Sequence, residues 1–284
     1  MVDMKEGPLK RGVDSFVGLL VCMSIIIPLF FMFMTSIKSN VAIFTDEILN
    51  FAPTLGGWIT IIFASGAVKS VGGDWPLYYW NSVVVSLIST GVALLIGLPA
   101  AYALARYDFK RKNFTAFMIL SVRLIPPIAF LIPDYLIVLF LKIQTTYMSV
   151  IMFYIVFQIP FVVWIMRGFI EQVPKAVEEA AAVDGASQWY TFLRILLPLA
   201  KDGLIVTAVF CILQSWNEFL LGWTFLSGNS VTLPVAAAHL VDYVLISWNT
   251  LFVVGTISAI PPIVLAILVQ KHLVRGLTLG MVKG

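Results

Sequence analysis

Glu178-Glu179-Ala180-Ala181-Ala182-Val183-Asp184-Gly185, running on to Ile195-Leu196-Leu197-Pro198, is a patch of small and acidic residues in an otherwise apolar chain. Alanine is the strongest helix former and adds almost no bulk. Pro174 suits the first turn of a helix, where its missing N–H is not needed. Asp184-Gly185 is a good stop, since glycine takes the left-handed cap conformation without strain. These signals predict a helix of about 16 Å between Pro174 and Asp184 at 1.5 Å per residue. Ser187 can then cap a second helix through Ile195, and Pro198 marks the start of the next apolar run. The second helix carries Trp189, Phe192 and Leu193 at helical spacing, which fits internal packing better than a cofactor site.

Outward from this patch, the chain has 284 residues, 60% hydrophobic and 12% charged, with a mean hydropathy of +0.98. Soluble domains carry roughly 45–50% apolar and about 25% charged residues, so a soluble fold of this length has no place for so much apolar surface. Several apolar runs approach the ~20 residues that cross a bilayer. Lipid cannot satisfy exposed backbone donors and acceptors, so the spans are helices. The expected fold class is an all-α polytopic membrane protein, one domain over residues 1–284 without internal repeats. Its six spans lie at about 16–35, 79–105, 114–141, 148–169, 203–226 and 250–269. The first run follows Lys10 and Arg11, but it is longer than a signal-peptide core and lacks a small-residue cleavage site, so it reads as a retained span. Cys22 and Cys211 both sit in apolar runs and read as small buried hydrophobes rather than a disulfide or metal site.

Charge placement orients the spans. Lys5, Lys10 and Arg11 precede span one, and Arg106, Lys110, Arg111 and Lys112 follow span two. Arg167, Lys175, Arg194 and Lys201 lie between spans four and five, and Lys271, Arg275 and Lys283 follow span six. Only Lys38, Lys69 and Lys142 fall on the other side, with Arg123 inside span three. The positive-inside rule puts both termini, the loop at about 171–200 and the tail at 271–284 in the cytoplasm. The net charge of +3 gives no reason to expect nucleic acid.

The spacing in the loop carries a resemblance. Glu179-Ala180-Ala181, three residues, Gly185, nine residues, Ile195, one residue and Leu197-Pro198 resemble the signature of membrane subunits of binding-protein-dependent ABC importers. Asn81-Ser82, the run from Ala100 to Arg106, and Trp216-Asn217-Glu218-Phe219 look like the same family. The tail from Val274 to Gly284 is similar to the carbohydrate branch, particularly the smaller permease subunit of maltose-type transporters. The resemblance covers most of the chain from about residue 78 and implies the type I importer fold, with a coupling-helix loop between spans four and five. Docking into a cleft of an ATPase is expected of Glu178, Glu179, Ala180, Ala181, Asp184, Gly185, Ile195 and Pro198. A Glu at the position of Glu179 is expected to pair with a basic residue there. The tail, with Arg275, Gly276, Thr278 and Lys283, is expected to reach the ATPase dimer interface. Implied partners are a second, homologous permease subunit, a dimer of ATP-binding subunits and a periplasmic or lipid-anchored solute-binding protein. Membrane lipid surrounds the chain, in a bacterial or archaeal cytoplasmic (inner) membrane. ATP and Mg belong to the partner, with no cofactor on this chain.

Polar groups inside a span are costly and mark functional candidates. Gln214, Asn217 and Glu218 stand at i, i+3 and i+4, which predicts one face of span five. With Trp216 they could offer hydrogen bonds and a stacking surface to a sugar. The same groups suit a role as ties between spans, and the generality of the run in the family favours that role or gating. Asp134 and Arg123 lie about 16 Å apart along span three, too far to pair if the helix is continuous. Pro126, Pro127 and Pro133 predict a kink or break there, and such breaks border translocation paths. Asp134 departs from a usually apolar family position and is expected to line a polar cavity, with Gln158 a weaker candidate of the same kind. His239 and Asp242 read as solvated residues of an outer loop, or as contacts for a docked binding protein.

The leading reading is a transport subunit, not an enzyme. The chain has no Gly-Lys-Ser/Thr phosphate loop, so ATP must be handled elsewhere. An intramembrane enzyme needs clustered ionisable groups that the spans lack. A permease for a non-carbohydrate solute, or an ATP-independent carrier, is the alternative, and the coupling signature argues against the carrier.

Overall fold

Apolar chain that must satisfy its own backbone folds as helix, and that is what the computed structural model of residues 8–45, 48–63, 73–240 and 248–281 contains. The elements are α1 (Pro8–Ser36), α2 (Ala42–Thr45), α3 (Gly56–Phe63), α4 (Trp75–Arg106), α5 (Lys112–Ser121), α6 (Leu131–Leu141) and α7 (Met148–Gln172). They continue as α8 (Lys175–Val183), α9 (Gln188–Tyr190), α10 (Leu197–Leu199), α11 (Lys201–Trp216), α12 (Leu220–Phe225), α13 (Leu233–His239) and α14 (Trp248–Met281). Lys5, Lys69, Asp242 and Lys283 lie outside the described residues, as do the side chains of Lys10, Arg11, Arg275 and Thr278.

Among the described residues, four helices are long and apolar enough to cross a membrane, within α1, α4, α7 and α14. Two bent pairs, Lys112–Leu124 with Pro127–Leu141 and Gln188–Leu199 with Lys201–Trp216, raise the number to six if each counts as one span.

Packing divides the chain into two units. The first comprises Met1–Asp74 and Ala237–Ile260. Here Asn249 donates from Nδ2 to the carbonyls of Ser36 and Lys38, and its backbone N–H donates to Asn40 Oδ1 at 2.9 Å. Trp58 Nε1 donates to Ser36 Oγ at 3.2 Å. The end of α1 is thereby tied to the start of α14. Most of the large apolar side chains of α1, Phe16, Ile25 and Ile26 among them, are exposed, as in a helix that faces lipid.

The second unit comprises Trp75–Ala236 and Pro261–Gly284. Its core is the contact of α4 with α7. Ala93, Gly97, Ala101 and Ala105 recur every fourth residue of α4 and form a buried or near-buried ridge, against which Val162, Met166 and Ile170 of α7 pack. A Cβ on Gly97 would stand 2.6 Å from Val162 Cγ1, so the close approach requires glycine. A second cluster joins Val85, Val138, Val150, Tyr154, Leu221 and Phe225.

Two of the spans expected from the sequence are interrupted. Span three bends by 88°, after Ile125 turns extended and Pro126 follows at φ −59° and ψ 135°. Pro133 falls in the first turn of α6, where no N–H is missed, and does not interrupt it. The expected continuous helix over 203–226 is corrected. Helix α11 ends at Trp216, Asn217 to Phe219 leave helical geometry, and α12 starts at Leu220. Gln214, Asn217 and Glu218 therefore do not share one helical face.

Candidate functional site

The polar loop folds as its residues dictate. Helix α8 starts after Pro174 and ends at Val183. Gly185 takes φ +83°, the Ala186 N–H donates to Ala181 O at 2.9 Å, and the Gly185 N–H donates to Ala182 O at 3.1 Å. This pair of bonds is the Schellman stop, and it satisfies carbonyls that the helix end leaves open. Ser187 Oγ accepts from the Tyr190 N–H at 3.3 Å, as an N-cap should. The second helix continues past Ile195 to Leu199, with a π-helical stretch over Thr191–Leu196 that has no sequence signal. It turns by 81° into α11. Phe192 is buried as expected, whereas Trp189 stays largely exposed with its ring against Phe192 at 5.3 Å.

The two glutamates of α8 differ. Glu178 turns inward, where Arg106 Nε donates to its Oε1 and Tyr102 OH donates to its Oε2 at 3.2 Å. Arg106 also donates from Nη2 to Val173 O at 2.8 Å. Both partners of the ion pair are mostly buried, with side chains 7% and 16% exposed. Glu178 is thus a tether between the end of α4 and α8, and points away from the outward-facing residues of the expected coupling set. Glu179, Ala180, Asp184 and Gly185 face outward, whereas Ala181 is buried. Val183 is 88% exposed. Ile195 is half-buried and Pro198 exposed. The outward face is acidic, small and apolar.

The second feature is a cavity of about 260 Å³ lined by residues that include Arg123, Tyr154, Gln158, Gln214, Ser215 and Glu218. The break in span five builds it. Glu218 Oε1 accepts from the Leu221 N–H at 2.9 Å, and Oε2 accepts from the Gly222 N–H at 3.2 Å and from Tyr154 OH at 2.6 Å. The carboxylate caps α12 and ties it to α7. Gln158 donates from Nε2 to Ser215 Oγ, and to Cys211 O at 3.2 Å, which binds α7 to α11. Ser215 in turn shares a 3.1 Å hydrogen bond with Ser89 of α4.

Three other candidates lie elsewhere. Trp216 is buried edge-on against Tyr79 at 5.4 Å, not set as a stacking surface. Asn217 donates back to Leu213 O at 2.8 Å. Asp134 is buried on the inner side of α6, one turn before Val138, and does not line this cavity. Its Oδ2 has no hydrogen-bond partner among the described residues. Tyr102, Arg106, Tyr154 and Ser215 complete the two sites; Tyr102 and Arg106 stood in the family-like run from Ala100 to Arg106 but were given no role there, and Tyr154 and Ser215 were not singled out by sequence reasoning. An aromatic hydroxyl or an arginine at a span end was the available signal.

A family model described as "Binding-protein-dependent transport system inner membrane component" matches residues 93–279. The chain is 35% identical over 233 residues to the probable ABC transporter permease protein y4oR of Sinorhizobium fredii, which covers 82% of this chain and 81% of that one. It is 28% identical to the trehalose/maltose transport system permease protein MalG of Thermococcus litoralis, over 99% of this chain and 100% of that one. A chain in the crystal structure of a bacterial ABC transporter involved in the import of alginate superposes with a TM-score of 0.73, at 18% identity and over 95% and 99% of the two chains. The two chains share the fold.

Proposed function

This chain belongs to the inner-membrane components of binding-protein-dependent transport systems, and from that premise we propose that it forms half of the translocation path of an ATP-driven sugar importer. A second, homologous permease supplies the other half. A dimer of ATPase subunits carries ATP and Mg, and a solute-binding protein delivers the substrate at the outer face of a bacterial or archaeal inner membrane. Six spans with both termini cytoplasmic put α8 on the ATPase side.

The observation that carries this reading is the architecture of α8. It is stopped by a Schellman turn, tied to α4 through Glu178 and Arg106, and leaves a small, acidic face outward. A docked ATPase that shifts this helix would pull on α4 directly, through a mostly buried ion pair. Helix α4 packs closely on α7, and α7 holds α12 through Tyr154 and Glu218. Movement at α8 can therefore reach the polar cavity through rigid contacts, which alternating access requires of one element biased from both sides. The C-terminal tail, with Arg275, Gly276, Thr278 and Lys283, is assigned to the ATPase interface. The sugar class is supported by the likeness to a trehalose/maltose permease.

The test is ATP-driven uptake by the complex reconstituted in liposomes with its binding protein. Uptake that needs ATP and the binding protein is expected. Uptake by this chain alone, without an ATPase, would overturn the assignment in favour of a carrier.

A further inference from the structure

The cavity has two charged residues in its wall, and the fold treats them differently. Glu218 is saturated, since both its oxygens accept hydrogen bonds, from two backbone N–H groups and Tyr154. Its charge also faces the N-terminal end of α12, where a negative charge is favoured. Arg123 has no such compensation. Its Nη2 donates to the neutral Gln214 Oε1 at 3.0 Å, and its guanidinium lies over the Phe161 ring, 4.8 Å from the centroid. Among the described residues no carboxylate stands within ion-pair distance of it.

Position adds to the argument. Arg123 belongs to the 3₁₀ turn Val122–Leu124 that ends just before Pro126, so the break in span three fixes where its backbone stands. Ile125 and Pro127 from the same break line the cavity beside it. A guanidinium offers several N–H donors in a planar fork that fits an oxyanion, and among the described residues only one of its nitrogens donates a hydrogen bond, to Gln214. Arg123 is half-buried, and a cation set among apolar helices without a counter-charge carries a desolvation cost. A tie to Gln214 alone would need no charge, because a neutral amide N–H can donate to Gln214 Oε1 as a guanidinium N–H does.

From these contacts we propose that Arg123 is an anion subsite of the translocation path, and that the transported solute is an acidic saccharide whose oxyanion supplies the missing counter-charge. Gln214 and Ser215 stand beside it to meet hydroxyl groups. The inference rests on the reading of this cavity as part of an importer's path.

The experiment uses the whole complex with its binding protein. Saccharides carrying a carboxylate, sulfonate or phosphate are each paired with their uncharged counterpart. Melting of the binding protein and ATP-driven uptake into liposomes are then measured for each pair. The acidic member alone should raise the melting temperature and be imported. Arg123→Gln should cut its uptake on the order of tenfold or more, as loss of a charge-assisted bond does, while Arg123→Lys retains more of it. The proposal is overturned if no acidic member binds, if neutral members are taken equally, or if Arg123→Gln imports the acidic solute as well as wild type. The binding-protein result decides the matter even where a variant fails to assemble. ATP-driven import of a neutral sugar would remove this inference and leave the importer reading intact.

Discussion

Arg106, the last residue of α4, donates to the carboxylate of Glu178 in α8, across 72 positions of sequence, and the same carboxylate accepts from Tyr102 one turn earlier. One α8 glutamate thus holds the loop to the membrane helices, and the other is left for a partner.

Removing one partner of this pair leaves the other charge mostly buried. Loss of one member of a buried pair costs about 3–5 kcal/mol, and the residual exposure of Glu178 puts this pair at or below the low end. Arg106→Gln and Glu178→Gln should each lower the melting temperature, and the double variant should lose less than the sum of the two. In reconstituted complexes each should retain ATP hydrolysis but lose most ATP-driven uptake. Additive melting shifts with uptake intact would show that the tether carries no coupling.

At Gly97, α4 packs tightly against α7. A Cβ there meets Val162 at 2.6 Å, so Gly97→Ala should destabilise by about 1–3 kcal/mol through overpacking. Val162→Ala in the same chain should restore part of the melting temperature. Without that recovery, the close contact is not what sets the cost.

The capping carboxylate of α12 accepts three hydrogen bonds, so Glu218→Leu leaves two backbone N–H groups and a tyrosine hydroxyl without their acceptor. Each buried group so stranded costs about 1–3 kcal/mol. A clear loss of thermal stability is expected for Glu218→Leu, with a smaller one for Tyr154→Phe, as read from melting of the purified complex. Equal melting of Glu218→Leu and wild type would refute the capping role.

Gly185 is exposed, and a Cβ there meets nothing within 4 Å. Its φ of +83° alone makes substitution costly, by about 1–2 kcal/mol for an L-residue in the left-handed region. Gly185→Ala should therefore loosen the end of α8 with little change in global melting, seen as faster amide exchange of Gly185 and Ala186. Unchanged exchange would mean that the Schellman stop does not depend on glycine.

Local signals were legible in the sequence and long-range ones were not. Helix α8 could be read because Pro174, the alanines and Asp184-Gly185 act within a turn or two of themselves. The break in span three could be read from Pro126 and Pro127. No proline or glycine marks the break at Asn217–Phe219. The polar run Gln214-Ser215-Trp216-Asn217-Glu218 interrupts the apolar pattern there, but its spacing reads equally well as one helical face, and a side-chain cap from Glu218 starts the next helix. The inward turn of Glu178 depends on an arginine far away in sequence, so composition could not separate it from Glu179. The ridge of Ala93, Gly97, Ala101 and Ala105 was open to counting by fours, since small residues at that interval let helices approach.

The central claim is that the outward face of α8 receives an ATPase. The most direct measurement is the ratio of ATPase to permease retained when the complex is purified with Glu179→Arg, a change at an exposed residue that leaves Glu178 and its tether in place. The account predicts that this variant melts as wild type does but loses most of its ATPase. Full retention of the ATPase, with ATP-driven uptake unchanged, would contradict it.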